Sequence, residues 1–242
     1  MNEPNNFCVL PWIHLETSAN GFARPCCIYS GHYKNSDNSN VSMQDTSITQ
    51  AMNSYGAEQI RKAFSKNVKP DGCKLCWDIE SAGGKSKRLE SNEKYMKNFD
   101  ETIKPVYLDL KFGTTCNLKC RICGSWSSSK WAQEEIDYEI AKGGDNPLAR
   151  KQLKEGGWPK RNPQFFEDLK EDLKHAEYFE FTGGEPFMIK DHFKILMYCV
   201  QKGYAKNIHI HYNTNGTQLP PKDIFDLWGY FKHVEIAFSI VN

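Results

Sequence analysis

The stretch Cys116-Asn117-Leu118-Lys119-Cys120-Arg121-Ile122-Cys123 determines how the rest of this chain is interpreted. Its three thiols, on Cys116, Cys120 and Cys123, follow an alternating apolar run that begins at Val106. A loop this short can turn all three sulfurs toward one metal centre, and thiolates suit both zinc and iron–sulfur clusters. The loop contains no fourth thiol and no histidine. A centre bound here therefore keeps one coordination position open.

The composition is that of an ordinary globular protein with an unusual number of cysteines. The 242 residues are 39% hydrophobic and 25% charged, and the net charge of +1 predicts no nucleic-acid partner. No apolar run approaches the ~20 residues that span a bilayer, and the N-terminus lacks a signal peptide, so we expect a cytoplasmic protein without a membrane partner. Nine cysteines are many for a cytosolic chain. Because disulfides rarely persist there, grouped thiols indicate metal ligation.

From Val106 onward, the pattern predicts alternating strands and helices. Strands are expected at 106–112, 178–181, 208–212 and 234–240, and helices at about 127–141, 164–176, 191–201 and 223–231. The segment 143–162 resembles an insertion. Such alternation predicts an α/β fold with a parallel sheet, and places function at the C-terminal ends of the strands.

The first hundred residues have a different, cysteine-rich character. Alternation around Asn20-Gly21 predicts a hairpin from Trp12 onward, followed by a loop over 31–46. Ser47 is expected to cap a helix that runs to about Lys66, with Gly56 as a possible interruption. A turn then presents Cys73 and Cys76, and the polar stretch 81–100 is predicted to be a linker. We therefore divide the chain into a small α+β domain with its linker, 1–100, and a core, 101–242.

Three motifs in the second region resemble those of one enzyme family. The spacing Cys116-x3-Cys120-x2-Cys123 resembles the cluster motif of the radical S-adenosylmethionine (radical SAM) enzymes. Gly183-Gly184-Glu185 resembles their second-strand motif, and Thr214-Asn215-Gly216 resembles the turn that often ends their third strand. The resemblance implies a partial TIM-like barrel and a 4Fe–4S cluster with three cysteine ligands. It also implies reductive cleavage of SAM to a 5′-deoxyadenosyl radical that abstracts hydrogen from a substrate.

The resemblance also suggests which residues contact SAM. Gly183 and Gly184 lack a Cβ, so the backbone can approach the methionyl amine, and Glu185 can accept a hydrogen bond from it. Ile122 stands where the family usually places an apolar side chain against adenine, and Ser239 resembles a ribose-contacting position. The remaining candidates for the pocket are polar residues at strand ends: Thr182, Asn213 and Asn215.

The N-terminal thiols resemble the auxiliary-cluster SPASM and twitch domains of the same superfamily. The implied ligands of a second 4Fe–4S cluster are Cys8, Cys26 or Cys27, Cys73 and Cys76. In common members such a domain follows the barrel, whereas here it precedes it. A structural zinc site with four cysteine ligands is the alternative. Cys199 stands alone and is expected to be a buried small hydrophobe.

The predicted core departs from the family in its length. The usual partial barrel has six strand–helix units, whereas four strands are predicted after residue 100. A truncated product, a half-barrel completed by a partner or second copy, and a short family member all remain open. The expected partners are a peptide or small-molecule substrate and an electron donor such as a flavodoxin or ferredoxin. The alternative functions are a zinc-binding interaction module and an iron–sulfur electron carrier without SAM chemistry.

Overall fold

A computed structural model describes residues 6–155 and 157–240. Its centre is a six-stranded sheet in the order β2-β1-β3-β4-β5-β6. The strands are β1 His14–Thr17, β2 Ala23–Arg24, β3 Tyr107–Leu110, β4 Tyr178–Phe181, β5 His209–Thr214 and β6 His233–Phe238. All neighbouring pairs are parallel except β1 and β2. The predicted α/β class with a mostly parallel sheet is confirmed, as are the four strands after residue 100.

Helices flank the sheet and connect its strands. They are α1 Leu10–Ile13, α2 Ile48–Met52, α3 Tyr55–Ser65, α4 Lys74–Ser81, α5 Lys87–Tyr95, α6 Ser129–Ala141, α7 Pro147–Glu155, α8 Phe165–Asp172, α9 Asp191–Gln201 and α10 Lys222–Leu227. Among the described residues, no helix combines the length and apolar character needed to cross a membrane.

The helix predicted from Ser47 is divided in two. Ser47 caps α2 through a reciprocal capping box with Gln50, as predicted. The chain then breaks at Asn53, and Ser54 caps α3. Gly56 therefore lies inside α3 and does not interrupt it. A Cβ at Gly56 would lie 2.4 Å from the backbone nitrogen of Lys34, so the glycine permits close packing of the loop on the helix.

Two stretches predicted without helices contain them. The polar linker 81–100 holds α5, capped by Ser86, and the insertion 143–162 holds α7. In α5, Arg88 is buried because its guanidinium pairs with the Glu80 carboxylate at 2.6 Å. A helix face buried through an ion pair gives no apolar periodicity, which explains why the prediction of a linker was wrong.

The N-terminal hairpin joins the sheet of the second region. β1 pairs in parallel with β3, from His14 opposite Tyr107 to Thr17 opposite Leu110. The predicted hairpin is confirmed, but Trp12 belongs to the short helix α1 and not to a strand, because Pro11 occupies the start of that helix. The two predicted regions thus share one sheet, and the boundary near residue 100 stays a prediction.

The two faces of the sheet have different chemistry, as the two-residue period of a strand requires. One face packs on helices through buried apolar side chains, which include Leu108, Phe179, Ile210 and Tyr212. The opposite face carries polar and charged side chains at the alternating positions. This polar inner face leads directly to the C-terminal ends of the strands, where the cysteine loop lies.

Candidate active site

The cysteine loop connects the end of β3 to α6. Cys116, Cys120 and Cys123 are all partly buried. Burial raises the pKa of the Cys123 thiol, and the charges of Cys120 and Cys116, which lie near enough to act on it, raise it further. Within the described parts of the chain, no set of three His, Cys, Asp or Glu side chains has metal-site geometry. The ligand roles of the three thiols therefore stay predictions.

The Gly183-Gly184-Glu185 turn after β4 packs directly on this loop. The amide of Glu185 donates to the Thr115 carbonyl at 2.8 Å, and the amide of Gly184 donates to the Ser127 carbonyl at 3.0 Å. Gly184 has a φ of +48°, and a Cβ there would lie 2.3 Å from the Thr115 oxygen. Only glycine combines this conformation with this approach. The turn and the cysteine loop therefore form one unit.

Glu185 connects this unit to the end of β5. Its carboxylate is fully buried and accepts from the Thr214 hydroxyl at 2.7 Å, the Asn215 amide at 2.8 Å and the Phe187 amide at 3.2 Å. A methionyl amine was the predicted partner of this side chain. In the structure, the carboxylate holds the third-strand turn in place.

Asn215 closes the connection from the third strand back to the cysteine loop. Its side-chain amide lies 3.8 Å from Cys116 Sγ and donates to Asn117 Oδ1 at 3.0 Å. The backbone amide of Leu118 also donates to Cys116 Sγ, at 3.4 Å. The loops after β3, β4 and β5 are thus joined by hydrogen bonds at one edge of the sheet.

Comparison with known families agrees with this arrangement. The family model of the radical SAM superfamily matches residues 110–242, which include all three loops. The chain belongs to the radical SAM superfamily. No curated protein matches the chain, and no solved structure matches it. Membership in this superfamily generally implies a 4Fe–4S cluster and SAM.

The other residues predicted for the radical SAM site lie at the same edge with less contact. Ile122 is 70% exposed beside the thiols, and Asn213 is partly buried at the end of β5. The Thr182 hydroxyl lies 3.5 Å from Asp109 Oδ1. Ser239 is exposed, and its backbone amide donates to the Thr214 carbonyl at 2.8 Å. The SAM contacts of these residues stay predictions.

A row of charged side chains on the inner face was missed from the sequence. Strand register places Glu16, Asp109 and Glu180 side by side on β1, β3 and β4. The Lys111 ammonium pairs with Glu16 and, at 3.0 Å, with Asp109, while Arg24 pairs with Glu16 at 2.6 Å. The sequence does show polar side chains at the alternating positions Tyr107, Asp109 and Lys111. It does not show that Glu16 on β1 lies beside them.

Electrostatics within this row are set by burial. Burial raises the pKa of Asp109, Lys111 opposes the shift, and the charges of Glu16 and Glu180 add to it, so that the pKa reaches about 7. Lys111 also reaches the predicted SAM cradle, because a Cβ at Gly183 would lie 3.0 Å from the Lys111 Cβ. The charged row therefore begins beside the Gly-Gly-Glu turn.

The N-terminal thiols form a second group. Burial raises the pKa of Cys8 well above its usual value, and the charges of Cys26, Cys73 and Cys76 raise it further. The thiols of Cys26, Cys73 and Cys76 therefore lie near enough to Cys8 to act on it electrostatically. Cys27 faces elsewhere, since its sulfur lies 3.1 Å from the Lys87 ammonium, on the polar inner face. Cys199 is fully buried in the core, as predicted.

Proposed function

We propose that the protein is a radical SAM enzyme whose catalytic 4Fe–4S cluster is held by Cys116, Cys120 and Cys123. The observation that carries the proposal is the close approach of Gly184 to the cysteine loop. A Cβ added at Gly184 would lie only 2.3 Å from the Thr115 oxygen. This approach leaves a backbone cradle beside three thiols whose loop has no fourth ligand. The donor set fits a cluster with one open iron.

When bound, the cluster and SAM supply reductive cleavage to methionine and a 5′-deoxyadenosyl radical that abstracts hydrogen from the substrate. The residues of the chain provide position and charge compensation. Glu185 accepts from the backbone amide of Asn215 and so fixes the third-strand turn. The side-chain amide of Asn215 then points at Cys116 Sγ. N–H groups aimed at a thiolate stabilise its negative charge and tune a bound cluster.

The N-terminal thiols fit an auxiliary 4Fe–4S cluster of SPASM or twitch type. Cys8, Cys26, Cys73 and Cys76 are proposed as its four ligands, which closes the coordination shell and suits electron transfer or structure. Cys27 is assigned no ligand role, because its sulfur contacts Lys87. Of the adjacent thiols Cys26 and Cys27, the proposal takes Cys26 as the ligand.

The substrate is proposed to be a peptide or protein. Auxiliary clusters often accompany peptide modification in this superfamily, and the inner face offers buried hydrogen-bonding and charged groups next to the cradle. Glu16, Asp109 and Lys111 lie there with Glu180 and Arg24. A small polar molecule is the other substrate class that such a face accepts. A flavodoxin or ferredoxin is the proposed electron donor.

Anaerobic reconstitution tests the proposal. We expect about eight irons with matching sulfide, and release of 5′-deoxyadenosine from SAM after reduction with dithionite. The triple Ala variant of Cys116, Cys120 and Cys123 should lose about half the iron and all cleavage, whereas Cys199→Ala should retain both. Zinc without sulfide would refute the enzyme, and clusters without cleavage would indicate an electron carrier.

A further inference from the structure

Two adjoining cavities lie at the edge of the sheet opposite the cysteine loop. One has a volume of about 490 Å³, and the adjoining one about 200 Å³. They share Lys104, Val106 and Glu177 and so form one continuous depression. Volumes of this size are typical of ligand sites. β5, with 6 residues, separates this edge from the candidate active site by ~20 Å.

Lysines line this depression because of where they stand before the strands. Lys104, Lys174, Lys206 and Lys232 each precede one of the parallel strands by a few residues, and parallel strands begin at the same edge. Lys94 on α5 lines the second cavity. We name this surface the basic groove; its five lysines are Lys94, Lys104, Lys174, Lys206 and Lys232.

Few carboxylates neutralise the basic groove. Lys104 pairs with Asp100 at 3.0 Å and Lys174 lies 3.6 Å from Glu171, but among the described residues Lys206 and Lys232 form no ion pair. Glu177 is the acidic residue in the lining.

Two lysines of the groove also act on the neighbouring His209 side chain. Burial lowers the pKa of His209, and the charges of Lys232 and Lys94 lower it further. Burial likewise lowers the pKa of Lys94, while the charges of Glu177 and Glu235 oppose this shift. The further acidic group near Lys94 is Glu235, which is paired with His211 at 3.0 Å.

We propose that the basic groove binds an acidic segment of a polypeptide. Lysines are flexible point charges, so several of them spread along a groove can each pair with a carboxylate of an extended acidic chain. The second cavity adds Ile13, Tyr95 and Phe99, which can receive an apolar side chain of that segment. The net charge of the whole protein is only +1, so the positive surface is local and small, unlike a nucleic-acid interface.

The inference deepens the proposed function, since an acidic segment of a peptide substrate held here would leave the rest of that substrate free to reach the other edge. Binding itself does not depend on SAM chemistry.

Fluorescence anisotropy with a labelled glutamate-rich peptide containing one phenylalanine tests the proposal on the full chain. We expect binding that weakens with salt, and at least ~10-fold weaker binding by the double variant Lys206→Glu/Lys232→Glu. The matched control is Lys130→Glu/Lys154→Glu, which makes the same charge change outside the groove and should alter affinity less than about twofold. Circular dichroism and thermal midpoints establish that both variants fold.

The outcomes separate this proposal from the proposed function. Tighter binding of a labelled oligoribonucleotide than of the peptide at the same salt would overturn it, as would equal losses in both double variants or no peptide binding. Peptide binding by a wild-type protein that fails to cleave SAM would refute the proposed enzyme and leave the groove. SAM cleavage without peptide binding would support the proposed enzyme and refute the peptide-binding role of the basic groove.

Discussion

Replacing Glu185 with Gln tests whether this carboxylate positions the third-strand turn. The wild-type carboxylate accepts three hydrogen bonds while fully buried, with Oε1 facing Thr214 and Phe187 and Oε2 facing Asn215. A glutamine oxygen can replace Oε1, but its NH2 group then faces the Asn215 amide. An unsatisfied buried donor costs about 1–3 kcal/mol, and two charge-assisted bonds become neutral ones.

The neutral glutamine also avoids the cost of burying a carboxylate charge, and this gain offsets part of the loss. We therefore expect a net destabilisation of about 2 kcal/mol. For a chain of this size, that lowers the thermal midpoint by about 4–8 °C. The assay is thermal unfolding of metal-free protein without SAM, so ligand binding does not contribute. Glu235→Gln is the matched control, because its carboxylate is 58% exposed and should change the midpoint little. Equal midpoints for the two variants would refute the positioning role.

Three further expectations concern other parts of the site and core. Gly184→Ala should abolish SAM cleavage, whereas Gly203→Ala, also at positive φ but with open space around its Cβ, should lose only about 1 kcal/mol of stability. Burial lowers the pKa of His192 to about 3, so its contribution to stability is complete above pH 6.5 and falls as pH drops toward 3. His192 alone should account for about 2 kcal/mol of the stability lost between pH 6.5 and 5 in urea unfolding, and His192→Gln should reduce the loss by about that amount. His14, whose pKa burial also lowers, should keep the remaining slope of the same sign in that variant. Cys26→Ser should lower the reconstituted iron content, and Cys27→Ser should not; the reverse result would exchange their roles.

Local patterns predicted the strands of the second region but not every helix. β4 was predicted with its observed bounds because its apolar side chains and flanking turn residues lie within one short stretch. α5 was missed because it buries Arg88 and Ser91, whose burial depends on partners elsewhere in the chain. The pairing of β1 with β3 joins residues more than ninety positions apart, and no local periodicity encodes such a pair.

In the candidate site too, local sequence patterns could be predicted and contacts between distant residues could not. The cysteine loop, Gly-Gly-Glu turn and third-strand turn could be placed together, because parallel strands end at one edge of a sheet. The contacts between them could not be predicted. Glu185 was expected to face a ligand, and only the fold shows that its oxygens face Thr214 and Asn215. The charged row was not predicted for a similar reason, because Glu16 contacts Lys111 only as a result of the register between β1 and β3.

Cys116 differs from the other two thiols of the loop in how its sulfur is supported. Two N–H groups approach it, from Leu118 within the loop and from Asn215 at the end of β5. Asn215 is itself fixed by Glu185, whose buried carboxylate belongs to the turn after β4. In the proposed cluster, negative charge on this sulfur would be stabilised by N–H groups from the loops after β3 and β5, and Glu185 from the loop after β4 would hold the second of them in place. Loosening any one of these groups should affect the proposed metal centre without removing a ligand, because hydrogen bonds from the ends of β4 and β5 hold the cysteine loop.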